Sequence, residues 1–314
     1  MDKKERVKKL LGGIESGELK KYTSIGVGGY CNLIFTAKSV EDLMKAVTSA
    51  RKAGIPYRVI GNGTNVIFAD SGFDGLAIVN RASQINIDSE SGAVIVESGA
   101  SLMRLILESV SAGLSGLEAL YGIPSSVGGA IIVNCGAHGV TISDFIRSVT
   151  VIISSDKIIS CPPSWFKFGY RESKLKYSKS DSPPVILSAT LQLQHRKTED
   201  SAALVAKYQK WRQMHQPLGQ KTSGSVFRNP KGSDVTASDD DKYKSAGYLL
   251  DSVGAKNFRV GDAAVSKKHA NWIINLGHAS ASDIRSLVEK MRGAVEDKYH
   301  VTLVEEIEYL GDWG

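Results

Sequence analysis

Apolar residues along the first half of the chain recur at two different periods. Val40, Leu43, Val47 and Ala50 fall at the three-to-four spacing of a helix; Ser39 stands before them as a cap, Glu41 and Asp42 occupy the first turn, and Gly54 marks the stop. Runs at 32–36, 57–60, 66–69, 76–80, 84–88 and 94–97 are bounded by turn residues and predict strands. A second capped helix is predicted over 101–112, with Leu102, Leu105 and Ile106 facing inward and Gly113 after it. Strands follow at 148–153, 157–160 and 185–194, and Val7, Leu10, Leu11 and Ile14 predict a short amphipathic helix near the N-terminus.

The pattern changes after residue 199. A polar helix over 199–213 ends in the breaker HQPLG, which places a domain boundary near Gln213. Beyond it come GSVFRNP at 224–230, a polar loop over 231–241, a helix near 242–252, VSKKHANWIINLG at 265–277, a helix near 282–298 and a closing strand over 301–309. Strands and helices mix without a repeating strand-helix unit, so the class is α+β. The expected division is 1–80, 81–213, 214–300 and 301–314.

Composition narrows the function. At 314 residues and 42% hydrophobic content, the chain can bury the cores of two or three domains. The net charge of +6 comes from lysines and arginines interspersed with acids, which argues against nucleic acid and fits attraction of small anions. Cys31, Cys135 and Cys161 are odd in number and match no metal or redox spacing, so reduced thiols in a cytoplasmic protein are expected. The basic N-terminus lacks the apolar core of a signal peptide, and no window approaches a membrane span.

Two glycine clusters carry the candidate chemistry. In YGIPSSVGGAIIVNCGAHG at 121–139, Pro124 fixes one turn, Gly128 and Gly129 leave a surface without side chains, Asn134 offers an amide, and 136–139 allows a second close approach. That suits a cofactor wall, although spacing alone equally allows two tight turns around a buried segment. GNGTN at 61–65 lies between two predicted strands, and its consecutive N–H groups can form a nest for a pyrophosphate. It is not the dinucleotide fingerprint, because no third glycine follows and the next element is a strand. Taken singly it reads as a hairpin turn.

Together with YTSIGVGG at 22–29, the order and wording of these segments resemble the UDP-N-acetylenolpyruvoylglucosamine reductase (MurB) family over about residues 22–311. The resemblance implies a FAD-binding fold of the vanillyl-alcohol oxidase/p-cresol methylhydroxylase type, with two α+β subdomains and a smaller α+β C-terminal substrate domain. It implies non-covalent FAD held by Gly61, Asn62, Gly63, Thr64, Asn65, Gly122, Ile123, Pro124, Ser125, Ser126, Gly128, Gly129, Asn134, Gly136, Ala137 and Gly139. It further implies that NADPH reduces the flavin. UDP-N-acetylglucosamine enolpyruvate then takes hydride from flavin N5 and a proton from a serine, giving UDP-N-acetylmuramate for peptidoglycan. A cytoplasmic monomer, with no nucleic-acid, membrane or metal partner, is expected.

Three side chains carry the implied catalysis. GYRES matches the family's tyrosine-arginine-x-serine motif and so selects Arg171, which as bare sequence reads as a surface arginine. Its planar fork suits the carboxylate of an enolpyruvyl group. GSVFRNP matches the family's proton-donor motif and selects Ser225, otherwise an ordinary turn serine with no nearby histidine or aspartate to suggest a hydrolytic triad. LVEEI carries Glu305 and Glu306, which on a strand point to opposite faces, one into a site and one into solvent; the family alignment selects Glu306. Tyr170 and Asn229 are implied substrate contacts, and HAN at 269–271 is a further candidate; His138 stands where the family commonly has tyrosine.

Three features depart from the family pattern. Ser125 replaces a usual glycine, Tyr248 replaces a basic residue, and GAKNFRVGD differs from the usual wording. The extra tyrosine loop of one branch has no counterpart between Arg171 and Val185, so the chain resembles the shorter branch. The competing readings are an oxidase of alcohols or sugars on the same scaffold, and a non-catalytic flavin or nucleotide binder. The C-terminal motifs have no role in such an oxidase.

Overall fold

The structure, a computed structural model, describes residues 2–154, 157–176, 178, 180–230 and 245–314. The polar loop expected over 231–241 and the start of the helix expected near 242 lie outside the described residues. The chain forms two compact units. The first comprises Met1–Gly17, Cys31–Asn62 and Asp74–Trp211; the second comprises Glu18–Tyr30, Gly63–Phe73 and Arg212–Gly314.

The first unit is built on two sheets. In one, the parallel strands Tyr30–Ala37 and Tyr57–Ile60 flank Leu76–Asn80, whose five residues are all buried, as a central parallel strand requires. Helix α1 (Lys3–Leu11) contributes Val7 and Leu11 to this core, while Leu10, expected on the same face, is exposed. Helix α2 (Val40–Ala53) adds Leu43, Ala46, Val47 and Ala50; the Ser39 hydroxyl accepts from the Asp42 N–H at 3.1 Å, and Gly54 closes the helix in the left-handed region. The other sheet is antiparallel, in the order Ile158–Cys161, Ile146–Ile152, Val185–Gln192, Ala93–Glu97, Ile85–Asp88. Helices α3 (Leu102–Ser111) and α4 (Val127–Ile132) pack on its buried side chains, and α5 begins at Thr198.

Helix α4 lies inside the segment whose glycines suggested turns around an apolar run. Ser126 caps it, accepting from the Gly129 N–H at 3.3 Å. Gly128 lies so close to Ser98, in the turn after Ala93–Glu97, that its N–H donates to the Ser98 carbonyl at 2.8 Å, and a Cβ would sit 2.9 Å from the Ser98 Cβ. That glycine permits the close approach of the helix to the end of the strand.

The second unit has an antiparallel sheet in the order Thr222–Ser225, Trp272–Asn275, Ala263–Val265, Arg259–Val260. Helix α6 (Ala246–Ser252) and helix α7 (Ala281–Tyr299) bury Leu249, Leu250, Ile284, Leu287, Val288 and Met291 in its core. Asp70 reaches the start of α7, where its carboxylate accepts from the N–H groups of Ala281 and Ser282 at 2.8 and 2.9 Å.

Two expectations are corrected. GNGTN does not close a hairpin: Tyr57–Ile60 pairs with Leu76–Asn80, whereas Val66–Phe68 pairs in parallel with Glu308–Leu310. The closing strand is limited to Glu308–Leu310; Val301, Leu303 and Ile307 are buried and alternate with more exposed neighbours, which satisfies the strand-like pattern without a ladder.

Candidate active site

In the first unit the two glycine clusters meet. Arg81 donates to the Gly61 carbonyl at 2.8 Å, Asn62 Nδ2 donates to the Pro124 carbonyl at 3.0 Å, and a side chain on Gly61 would strike the Ser126 hydroxyl. Among the described residues, no acceptor takes up the backbone N–H of Asn62, Gly122, Ser125 or Ser126. A run of unclaimed donors beside loops packed this closely fits an anionic pyrophosphate, which is the donor chemistry that FAD would need. Ser125, where the family pattern has glycine, is absent from the positive-φ residues, so its Cβ strains nothing; its hydroxyl donates to the Ser126 carbonyl at 2.9 Å.

Arg171 is joined to the same wall. It occupies the tight turn Gly169–Glu172 with φ of 57°, a conformation that costs a non-glycine residue about 1–3 kcal/mol. Its guanidinium donates to the Gly136 carbonyl, Lys176 Nζ donates to the Arg171 carbonyl at 2.9 Å, and the guanidinium carbon lies 5.5 Å from the Tyr170 ring centroid. Asn134 Nδ2 donates to the Gly169 carbonyl at 3.0 Å and Ser173 Oγ to the Ile132 carbonyl at 2.6 Å, so GYRES is stitched to the end of α4. Asn134 is only 5% exposed, its amide engaged within the chain, whereas Tyr170 is 46% exposed. Ala137 pairs with Val140, Ile123 donates its N–H to Leu120, and Gly139 has open space where a Cβ would be. The His138 ring stacks 4.7 Å from Tyr208 and meets the edge of Trp211 at 4.8 Å.

In the second unit, Gly63 has φ of 63° and lies against the Tyr22 carbonyl, which leaves no room for a Cβ. Its carbonyl accepts from the Ser24 N–H at 2.9 Å, and no acceptor among the described residues takes the N–H of Gly63 or Thr64. Asn65 Nδ2 donates to the Glu306 carbonyl at 3.0 Å, and the Glu308 N–H donates to the Asn65 carbonyl at 2.9 Å.

Ser225 and Glu306 sit on adjoining segments of this unit. Ser225 pairs with Trp272 just after a register shift, with Gly224 at φ of 81° before it. The Glu306 N–H donates to the Val226 carbonyl at 2.8 Å, the Arg228 N–H to the Val304 carbonyl at 3.0 Å, and Phe227 bridges Glu305. Asn271, 4% exposed, grips Phe227 from the other side, its Oδ1 accepting from the Phe227 N–H at 3.0 Å and its Nδ2 donating to the Phe227 carbonyl at 2.7 Å. Glu305 is not the solvated partner expected of the pair, because Arg292 of α7 pairs with its carboxylate.

Other candidates have structural partners. Asn229 Oδ1 accepts from the Ala246 N–H at 3.1 Å, ahead of α6. His269 Nδ1 accepts from the Asn271 N–H at 3.2 Å, and burial, with Lys256 nearby, holds its imidazole below the ordinary histidine range and therefore neutral. Tyr248 is 40% exposed on α6. Asn65, Lys176 and Asn271 were not singled out as supports by the sequence; only their place inside or beside matched motifs marked them. The three cysteines are buried and form no disulfide, and no cluster that could hold a metal occurs among the described residues. No described helix is long and apolar enough to cross a membrane.

Comparison with known proteins assigns both halves. A family model described as "FAD binding domain" matches residues 31–162, and one described as "UDP-N-acetylenolpyruvoylglucosamine reductase, C-terminal domain" matches residues 216–310. A UDP-N-acetylenolpyruvoylglucosamine reductase of Caldicellulosiruptor saccharolyticus is 33% identical over 94% of this chain and 91% of its own length. One from Thermotoga sp. strain RQ2 is 37% identical over 93% of this chain and 91% of its own. The crystal structure of the Thermus caldophilus enzyme superposes with a TM-score of 0.77 at 34% identity, covering 95% of this chain and 98% of the other.

Proposed function

Since the chain belongs to the UDP-N-acetylenolpyruvoylglucosamine reductase family, we infer that it reduces the enolpyruvyl ether of UDP-N-acetylglucosamine to UDP-N-acetylmuramate, a peptidoglycan precursor. It is a FAD-dependent oxidoreductase of the expected α+β fold, with NADPH as co-substrate. The alternative readings, an alcohol or sugar oxidase and a non-catalytic binder, do not account for the match over the C-terminal domain.

FAD, when bound, supplies the hydride that NADPH has delivered. The backbone N–H groups of Asn62, Gly122, Ser125 and Ser126 in the first unit are donors offered to it. Arg171 holds the substrate carboxylate and stabilises the charge that develops on it when hydride adds to the distal alkene carbon. Ser225 gives its hydroxyl proton to the carbon next to that carboxylate. An alcohol can act as an acid here because its partner is a strongly basic carbanionic centre. Glu306 either orients that hydroxyl or polarises the nascent enolate in this scheme. Tyr170 and Asn229 line the substrate in this scheme.

The observation that carries the assignment of the proton-handling pair is the 2.8 Å bond from the Glu306 N–H to the carbonyl of Val226, the residue after Ser225. We place the enzyme in the cytoplasm as a monomer. The test is an anaerobic spectrum of FAD-loaded protein. NADPH should bleach the flavin, and the enolpyruvyl sugar should restore its colour. Colour that NADPH does not bleach, or that the sugar does not restore, would overturn the reading.

A further inference from the structure

The two adjacent glutamates in LVEEI have unequal surroundings. Glu305 is 18% exposed at its side chain and pairs through Oε1 with Arg292, itself 23% exposed. Arg292 spends another nitrogen on Glu289 Oε2 at 2.7 Å, and its guanidinium carbon lies 6.0 Å from the Phe227 ring centroid. The ring it covers belongs to the residue that bridges Glu305, and that is two positions from Ser225. One arginine on α7 therefore holds both strands of the crossing, one through a carboxylate and the other through a ring.

The crossing has no long ladder behind it. Among the described residues, the Glu306-to-Val226 and Arg228-to-Val304 backbone bonds join the two segments, with the Asn65 and Asn271 amides on either side. Such a short junction can shift without unfolding the sheet, so an ion pair on Glu305 is placed to influence how its neighbour Glu306 lies against the Ser225 segment. Partial burial means that removing one partner leaves the other charge uncompensated, and Glu289 on the preceding turn of α7 keeps the guanidinium from swinging away. The buried Tyr309 phenol lies near the same arginine, and burial raises its pKa, so it remains a neutral neighbour.

We propose that Arg292 is a positioning residue for proton delivery, fixing the Ser225 and Glu306 geometry through Glu305 and Phe227. The proposal rests on the reading of Ser225 and Glu306 as the proton-handling pair. In FAD-loaded Arg292→Met, flavin bleaching by NADPH should keep its wild-type rate. Reoxidation by the enolpyruvyl sugar should slow on the order of 10- to 100-fold, the cost of a displacement near 1 Å. The solvent deuterium isotope effect on reoxidation should rise, because proton transfer becomes more limiting, and Arg292→Lys should recover most of the rate.

A second readout needs no cofactor. Unfolding of the FAD-free Arg292→Met, Glu305→Gln and double variants should be non-additive. If Arg292→Met does not fold, Glu305→Gln, which keeps the Arg292–Glu289 pair, should show the slowed reoxidation and raised isotope effect in smaller degree. The inference is overturned by unchanged reoxidation, by equal slowing of both half-reactions, by an unmoved isotope effect, or by additive unfolding. Wild-type protein that the sugar fails to reoxidise would instead overturn the functional reading.

Discussion

Arg171 sits in a tight turn and Ser225 at the end of a short strand, and the chain holds them by opposite means. Arg171 is restrained at its own atoms: its φ is positive, its carbonyl is bound by Lys176 and its guanidinium by Gly136. Ser225 is restrained only through its neighbours, since Val226 and Phe227 are gripped by Glu306 and Asn271 while no hydrogen bond among the described residues takes up the Ser225 hydroxyl. A group that binds a carboxylate gains from being aimed before the ligand arrives. A proton donor needs a rigid backbone beneath a side chain that has not spent its proton elsewhere.

That contrast can be attacked at four points. The largest effect should come from Ser225→Ala, which removes the donor and nothing that holds the turn. Flavin reoxidation by the enolpyruvyl sugar should slow several hundredfold, about 3–4 kcal/mol on the barrier, with flavin reduction and folding unchanged. Equal slowing of both half-reactions in stopped-flow traces would make the serine structural.

Asn271→Ala should strike the scaffold instead. It leaves the buried N–H and carbonyl of Phe227 without their partner, at a cost of about 2–4 kcal/mol read as a lower denaturant midpoint. Reoxidation should slow with it. A variant as stable as wild type would mean that Ser225 is not held through its neighbours.

Lys176→Met tests the other side of the comparison. Loss of its charged hydrogen bond to the Arg171 carbonyl should cost about 1.5–3 kcal/mol and free the strained turn. The readout is weaker apparent affinity for the enolpyruvyl sugar with little change in flavin reduction. Unchanged affinity would show that Arg171 is aimed by its guanidinium contact alone.

The smallest effect is in pH. His269 has a folded pKa depressed below the ordinary 6.5, so the unfolded chain takes up a proton that the native state resists. Stability is therefore complete above that value and declines as pH falls below it, by at most about 1.4 kcal/mol per pH unit. His269→Gln should flatten the decline in unfolding midpoints measured between pH 7 and 5. An identical decline in the variant would assign it to other groups.

Much of this was legible before any fold was known. The caps Ser39 and Ser101, the stop at Gly54, the apolar stripes of α2 and α3 and the extent of α7 follow from local chemistry and appear within a residue or two of where the pattern put them. The family followed from the order and wording of YTSIGVGG, GNGTN and the glycine-rich stretch 121–139, with GYRES, GSVFRNP and LVEEI matching its motifs, and the comparisons bear it out. Helix α4 was not legible, because Gly128 and Gly129 lower helix propensity and their reason, close approach to Ser98 and the Ser126 cap, lies elsewhere in the chain. The hairpin reading of GNGTN failed for a related cause: two strands joined by a short turn need not pair when each has a better partner far away.

By itself, then, the order of residues determined where helices begin and end, which loops hold glycine, and which reductase family the wording belongs to. All of these depend on interactions spanning a few positions or on motifs read whole. Only the tertiary structure decided that Glu18–Tyr30 and Gly63–Phe73 join the C-terminal unit, and that Arg292 takes Glu305 rather than leaving it to solvent. Those choices are made between groups from about a dozen to more than 200 positions apart. No local propensity encodes them, because the competing partners become comparable only once the chain has brought them together.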